Sequence, residues 1–186
     1  MTNKYSRLKP KIKPLPIIIM VVMVVVFIVA ILLLRPSASK KIQNSFNNVI
    51  SNAQEKLPND HVFVEISYKE YKKKEDKKEN FLMFVGNPYD QASPGEVKYY
   101  DFYFKSEKVN EKLTVIYYLD SSKLNEEQTK ELTMLSMSGE TLQTPQLFYF
   151  HDGLMIYSRN DTAYTSVSTK PQGQIQAFFR AVYNKL

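Results

Sequence analysis

Asp90 and Ser93 stand three residues apart in the segment Asp90-Gln91-Ala92-Ser93, a spacing that brings a carboxylate to a hydroxyl across one helical turn. Such a pair invites a hydrolytic reading. A serine nucleophile needs a base within hydrogen-bond reach, usually histidine, and donors for the oxyanion. The chain has two histidines. His151 falls in a His-Asp-Gly turn and His61 opens a strand, and no catalytic residue is assigned. The plainer expectation is that Asp90 and Ser93 begin a helix and cap its free amides.

Composition removes other chemistries. With no cysteine, the chain has no thiol for disulfide exchange, thiolate metal sites or covalent stapling. Two distant histidines without clustered carboxylates suggest no metal, and five glycines leave no phosphate-cradling loop. No cofactor is expected. Asn160-Asp161-Thr162 has the form of a glycosylation acceptor.

The net charge of +6 invites a nucleic-acid reading that its distribution withdraws. Six of the 25 basic residues lie in positions 1–35, which hold no acidic residue, leaving 19 basic against 19 acidic beyond them. The excess belongs to a tail that can set topology and meet anionic lipid, and no polyanion partner is implied.

Ile17 to Leu34 is an unbroken apolar run of eighteen residues, near the roughly 20 that cross a bilayer. Lys4, Arg7, Lys9, Lys11 and Lys13 precede it; Arg35, Lys40 and Lys41 follow. The positive-inside bias predicts a cytoplasmic basic tail over 1–14, a transmembrane helix over 15–35 and everything after it outside, a single-pass protein of the cell membrane. A signal peptide cut near Ser37-Ala38-Ser39 is the alternative, although the run exceeds the usual h-region of about 7 to 15 residues.

Beyond the run, Ile42, Phe46, Val49, Ile50, Ala53 and Leu57 recur at helical spacing. They predict an amphipathic linker helix within 36–58, ended by Pro58-Asn59-Asp60. His61–Ile66 suits a strand. Ser67 and Glu70 form a capping box for a charged helix reaching about Glu79. Phe81–Val85 reads as a buried strand closed by Gly86-Asn87-Pro88, and Leu113–Leu119 as another. A helix is expected from Lys123 to about Met137, with Leu124, Leu132 and Leu135 on its apolar side. Leu147–Phe150 and Leu154–Ser158 make a hairpin about His151-Asp152-Gly153. A last helix from Pro171 carries Ile175, Phe178, Phe179, Val182 and Leu186 on one stripe. Strands alternating with helices predict an α/β fold whose mixed sheet is flanked by helices.

That order, together with Glu65–Tyr71, Phe81–Pro88, Ile116–Asp120 and Thr144–Phe150, resembles the thioredoxin-like superfamily. The local match is to the small bacteriocin transport accessory proteins, over about Val62 to Leu186. The resemblance implies a thioredoxin-like extracytoplasmic domain over 59–186, in which the family's two cysteine positions fall on Asp90 and Ser93 and are vacated. It also implies a cis bond before Pro145. Pro94-Gly95 is expected to break the supporting helix, which would resume near Glu96.

With no sulfur for exchange, what the resemblance leaves is a surface. In the family the proline edge pairs with an extended peptide, which needs only main-chain hydrogen bonds. Thr144, Pro145 and Gln146, with Tyr89 at the loop, are therefore the expected partner-binding residues. Tyr99, Tyr100 and Tyr103 join them, because Tyr99, Tyr100, Phe102, Tyr103 and Phe104 put five aromatics in six positions. That density favours an exposed partner or membrane surface, unless the 42–57 helix covers it. The expectation is a non-catalytic protein-binding accessory of a Gram-positive bacterium, working in bacteriocin export, secretion or conjugation. A structural membrane subunit, or another kind of enzyme on the same scaffold, is the alternative.

Overall fold

The computed structural model describes residues 19–27, 37–136 and 141–186. The chain divides into two compact units, Met1–Pro36 and Ser37–Leu186. In the first, residues 19–27 are helical with exposed side chains. The basic tail over 1–14 and most of the expected span over 15–35 lie outside the described residues. Among the described residues no helix is long and apolar enough to cross a membrane.

The second unit holds eleven helices and strands among its described residues. They run α1 (Ala38–Asn47), β1 (Phe63–Glu65), α2 (Tyr68–Asp76), β2 (Phe81–Gly86), α3 (Ser93–Ser106), β3 (Ile116–Asp120), α4 (Glu126–Ser136), β4 (Gln146–His151), β5 (Leu154–Ser158), α5 (Thr162–Thr165) and α6 (Pro171–Lys185). The sheet order is β1-β3-β2-β4-β5. The first three strands are parallel, and β4 and β5 are antiparallel additions. Parallel neighbours need crossover connections, which α2 and α3 supply. The hairpin needs only Asp152 and Gly153, with φ of 52° and 75°, the left-handed pair of a two-residue turn.

Side chains alternate across each strand, and both faces are covered, which is why β2 and β4 read as continuous apolar runs. Leu82, Phe84, Ile116, Tyr118, Leu147 and Tyr149 face the larger core, closed by α1, α3 and α6. Phe81, Met83, Val85, Leu119, Phe148 and Phe150 face the smaller one, closed by α2 and α4. Each fully buried aromatic or aliphatic side chain contributes roughly 1.5–3 kcal/mol.

The expected 36–58 helix is shorter than its periodicity suggests. Ser37 Oγ accepts the Lys40 amide at 3.2 Å to start α1. At its other end the Asn47 side chain pairs with the Leu57 backbone, accepting from its N–H at 2.7 Å and donating to its carbonyl at 2.9 Å. Asn47 thereby draws the chain back on itself, and only a 3-10 turn at Ala53–Glu55 follows. Ile42, Phe46, Ile50 and Leu57 remain on one buried stripe, so these residues form part of the core wall. The capping box at α2 forms as expected: Ser67 N donates to Glu70 Oε2 at 2.8 Å and Glu70 N to Ser67 Oγ at 3.3 Å. The expected 123–137 helix starts later, at Glu126, after a 3-10 turn at Ser121–Lys123, and its expected end at Met137 lies outside the described residues.

Candidate functional site

The loop between β2 and α3 is organised by one carboxylate. Asp90 Oδ2 accepts the Asn87 amide at 3.1 Å, and Oδ1 accepts the amides of Ala92 at 3.1 Å and Ser93 at 2.5 Å. Ser93 Oγ also donates to Asp90 Oδ2. Helix N-termini leave amides unpaired, and Asp90 satisfies them from two residues before the N-cap, Ala92, which has no side chain able to do so. The capping expectation for Asp90 holds, while Ser93 donates instead of capping.

The expected break at Pro94-Gly95 does not occur. Helix α3 begins at Ser93 with proline in its first turn, where a missing N–H costs nothing.

Ser93 is completely buried. Its hydroxyl abuts Gly86, where an added methyl would meet Ser93 Oγ and approach the Phe84 ring to 2.9 Å. His61 is bound to Ser39, and His151 Nδ1 lies 3.1 Å from the Tyr149 hydroxyl. Among the described residues neither histidine hydrogen-bonds to Asp90 or Ser93. The arrangement gives an outside substrate no accessible nucleophile at Ser93.

Behind the loop lies a polar cluster that sequence reasoning missed. Arg159 Nη2 donates to Glu96 Oε1 and the Tyr100 hydroxyl to Glu96 Oε2, both at 2.6 Å. All three residues are buried. Burial pushes the Glu96 carboxyl above its ordinary range, against the opposing pull of Arg159 and the Tyr100 hydrogen bond. Burial first, and then the Glu96 charge, raise the Tyr100 phenol. The helical spacing of Ser93, Glu96, Val97, Tyr100 and Phe104 put Glu96 on the inward stripe, which was the available signal. Nothing in the spacing pointed to Arg159. Gln146 Nε2, Ser158 Oγ and Arg159 Nε are buried without a partner among the described residues, a cost of about 1–3 kcal/mol each.

The partner-binding set separates by exposure. Tyr89 projects from the loop, 85% exposed, with its amide on Asn87 Oδ1 at 2.8 Å. Asn87 Nδ2 in turn donates to Ser121 Oγ at 2.9 Å, tying the loop to the end of β3. Tyr89 borders a cleft of about 230 Å³ with Pro88, Ile42 and Tyr118. The Thr144–Pro145 peptide is cis. Because Gln146 pairs with Val85, Thr144 and Pro145 continue β4 toward Gly86 and Asn87, where the Asp90 loop begins.

Gln143 is exposed and Thr144 half-buried, whereas Pro145 is buried. Gln146 and Tyr100 are fully buried and present no side-chain surface. Tyr99 and Tyr103 are half-buried against the larger core, and Phe104 lies within it. Of the α3 aromatics only Phe102 is exposed, at 54%. Among the described residues no group of acidic, histidine or cysteine side chains could hold a metal ion. No protein-family model matches this chain, and comparison with curated proteins finds no matching relative.

Proposed function

We propose that this chain is a redox-inactive, thioredoxin-like accessory protein, anchored in the cell membrane through residues 15–35 with its N-terminus cytoplasmic. Its C-terminal domain works outside the cell by holding a protein or peptide partner. The sheet order, three parallel strands followed by an antiparallel pair, supports the thioredoxin-like reading. The resemblance to bacteriocin transport accessory proteins suggests export, secretion or conjugation as the setting.

The observation that carries the binding role is Tyr89, an aromatic ring held in solvent by a loop whose Asn87, Tyr89, Asp90, Ala92 and Ser93 amides are bonded within the loop. Rigid exposed aromatics bordering a cleft are favourable anchors for a partner. Thr144 and Gln143 lie on the strand extension leading to the same loop. An extended peptide bound there needs backbone hydrogen bonds and no thiol.

The test is site-specific photo-crosslinking in membranes of the native host. A crosslinking residue at position 89 or 143 should give a discrete adduct, abolished at 143 by Tyr89→Ala, while position 108 gives none. Equal adducts at all three positions, or none at 89 and 143, would remove the binding role.

A further inference from the structure

The second exposed aromatic, Phe102, sits at the centre of a stripe. Lys98, Asp101, Phe102 and Lys105 follow helical spacing on α3, and Gln54, Lys56 and Pro58 complete a shallow apolar cleft of about 450 Å³ around them. The charge there is positive. Asp101 is buried, with Oδ1 accepting the Val62 amide at 2.9 Å, and its other oxygen binds Lys105 at 3.1 Å. Asp60 is matched by the same Lys105 at 3.3 Å. Lys98 Nζ donates to the Gln54 carbonyl. Among the described residues neither Lys98 nor Lys56 has an ion-pair partner.

The cleft lies close to where the second unit begins. Ser37 caps α1. Two residues on, the Ser39 carbonyl accepts from His61 Nε2 at 3.0 Å, and Lys40 Nζ reaches Asn59 Oδ1 at 3.0 Å. Residue 60 is in turn held by Lys105 through its carbonyl at 3.0 Å. Two hydrogen-bonded steps therefore connect the entry of the chain to the rim of the cleft. Only Arg35 and Pro36 separate Ser37 from the apolar run ending at Leu34, a contour of roughly 10 Å.

From this placement we infer that the Phe102 face is a lipid-contacting surface, with the ring at the interface of an anionic bilayer and Lys56 and Lys98 against its phosphates. An aromatic body with lysine stems and charged tips suits the boundary between acyl chains and headgroups. Lysines near an anionic leaflet are attracted to it within a Debye length. The inference rests on the membrane-anchor reading.

The chain contains no tryptophan, so Phe102→Trp gives a single indole in the full-length protein, excited at wavelengths where the 13 tyrosines do not absorb. The control is Leu154→Trp. Leu154 is 68% exposed and lies on β5, at the sheet edge opposite β1, whereas Asp101 ties the Phe102 cleft to Val62 just ahead of β1. In vesicles of phosphatidylcholine and phosphatidylglycerol the indole introduced at 102 should be blue-shifted and quenched by brominated lipid. The indole at 154 should remain quenchable by aqueous iodide. Lys56→Glu with Lys98→Glu should largely abolish the quenching at 102. So should raising salt toward 1 M, where screening shortens to about 3 Å; this arm requires no folded double variant.

An indole at 102 as accessible to iodide as that at 154 overturns the inference. So does protection seen only in native membranes, which would make the face a protein interface. Alkaline extraction separates the two readings. Release of the chain from vesicles defeats the anchor and this inference together, whereas retention with a wet indole at 102 defeats this inference alone.

Discussion

Arg159 Nη2 lies 2.6 Å from Glu96 Oε1, and both side chains are nearly closed to water. The carboxylate's other oxygen takes the Tyr100 hydroxyl, so the charge on α3 is fixed between the end of β5 and its own helix. A buried pair is costly to form and costlier to halve, because the survivor keeps its desolvation penalty. Glu96→Ala or Arg159→Ala is expected to destabilise the domain by about 3–5 kcal/mol in urea unfolding. Glu96→Leu with Arg159→Met should recover most of that loss. Equal loss in the double and single variants would argue against unpaired charge as the cause.

Asp90 is expected to be a stability residue in its own right. Asp90→Ala frees the amides of Asn87, Ala92 and Ser93 and should cost about 1–2 kcal/mol. Hydrogen exchange should speed up in the first turn of α3 with little change in β4. Asp90→Asn keeps one acceptor and should lose less.

Gly86 is required by space. A Cβ there meets Ser93 Oγ and comes within 2.9 Å of Phe84, inside a core with no slack. Gly86→Ala should destabilise by about 1–3 kcal/mol, and Ser93→Gly should relieve part of the clash. Additive losses in the double variant would place the strain elsewhere.

His61 should make stability depend on acidity. Its Nδ1 accepts the Phe63 amide at 3.1 Å and its Nε2 reaches the Ser39 carbonyl at 3.0 Å, so the neutral ring satisfies both contacts. A proton on Nδ1 would oppose the Phe63 N–H. Burial depresses the ring below its ordinary 6.5; the Ser39 hydrogen bond and Asp101 and Asp60 pull it back, while Lys105 adds to the depression. A base depressed on folding gives stability that is full above the unfolded value and lost as pH falls from 6.5 through the folded one. The unfolding midpoint should therefore drop between pH 7 and 5, and His61→Gln should flatten that slope. An unchanged slope would exclude His61 as the source.

The parts legible in the sequence were those where one local rule decided the outcome. β2 and β4 declared themselves because strands buried on both faces are apolar throughout, and Ser67 and Glu70 announced their own helix start. Rules in competition were harder to read. The Ile42–Leu57 stripe predicts one helix because its periodicity continues past Asn47. The amide of Asn47 instead imitates a strand partner for Leu57, a tertiary contact invisible to spacing. Pro94 by type predicts a break, but its place in the first turn makes it compatible with α3. The α3 aromatics proved a mixture, since a helix with core on one side buries Tyr100 and Phe104 and leaves Phe102 outside. The Glu96–Arg159 contact joins residues 63 apart in the chain, and no pattern within either segment foretells the other.

Phe46 lies 6.1 Å from the Phe84 ring centre and 5.6 Å from that of Tyr118, so helix α1 supplies a wall that the sheet lacks. A shortened version of this protein started at the first strand would therefore be missing part of its own interior. Phe63, Phe84 and Tyr118 would be laid bare, and the fragment would be prone to clump before any partner could be tried on it. Where to cut for recombinant work is set by Ser37, ahead of the helix, and not by the Pro58-Asn59 turn that looks like a natural seam.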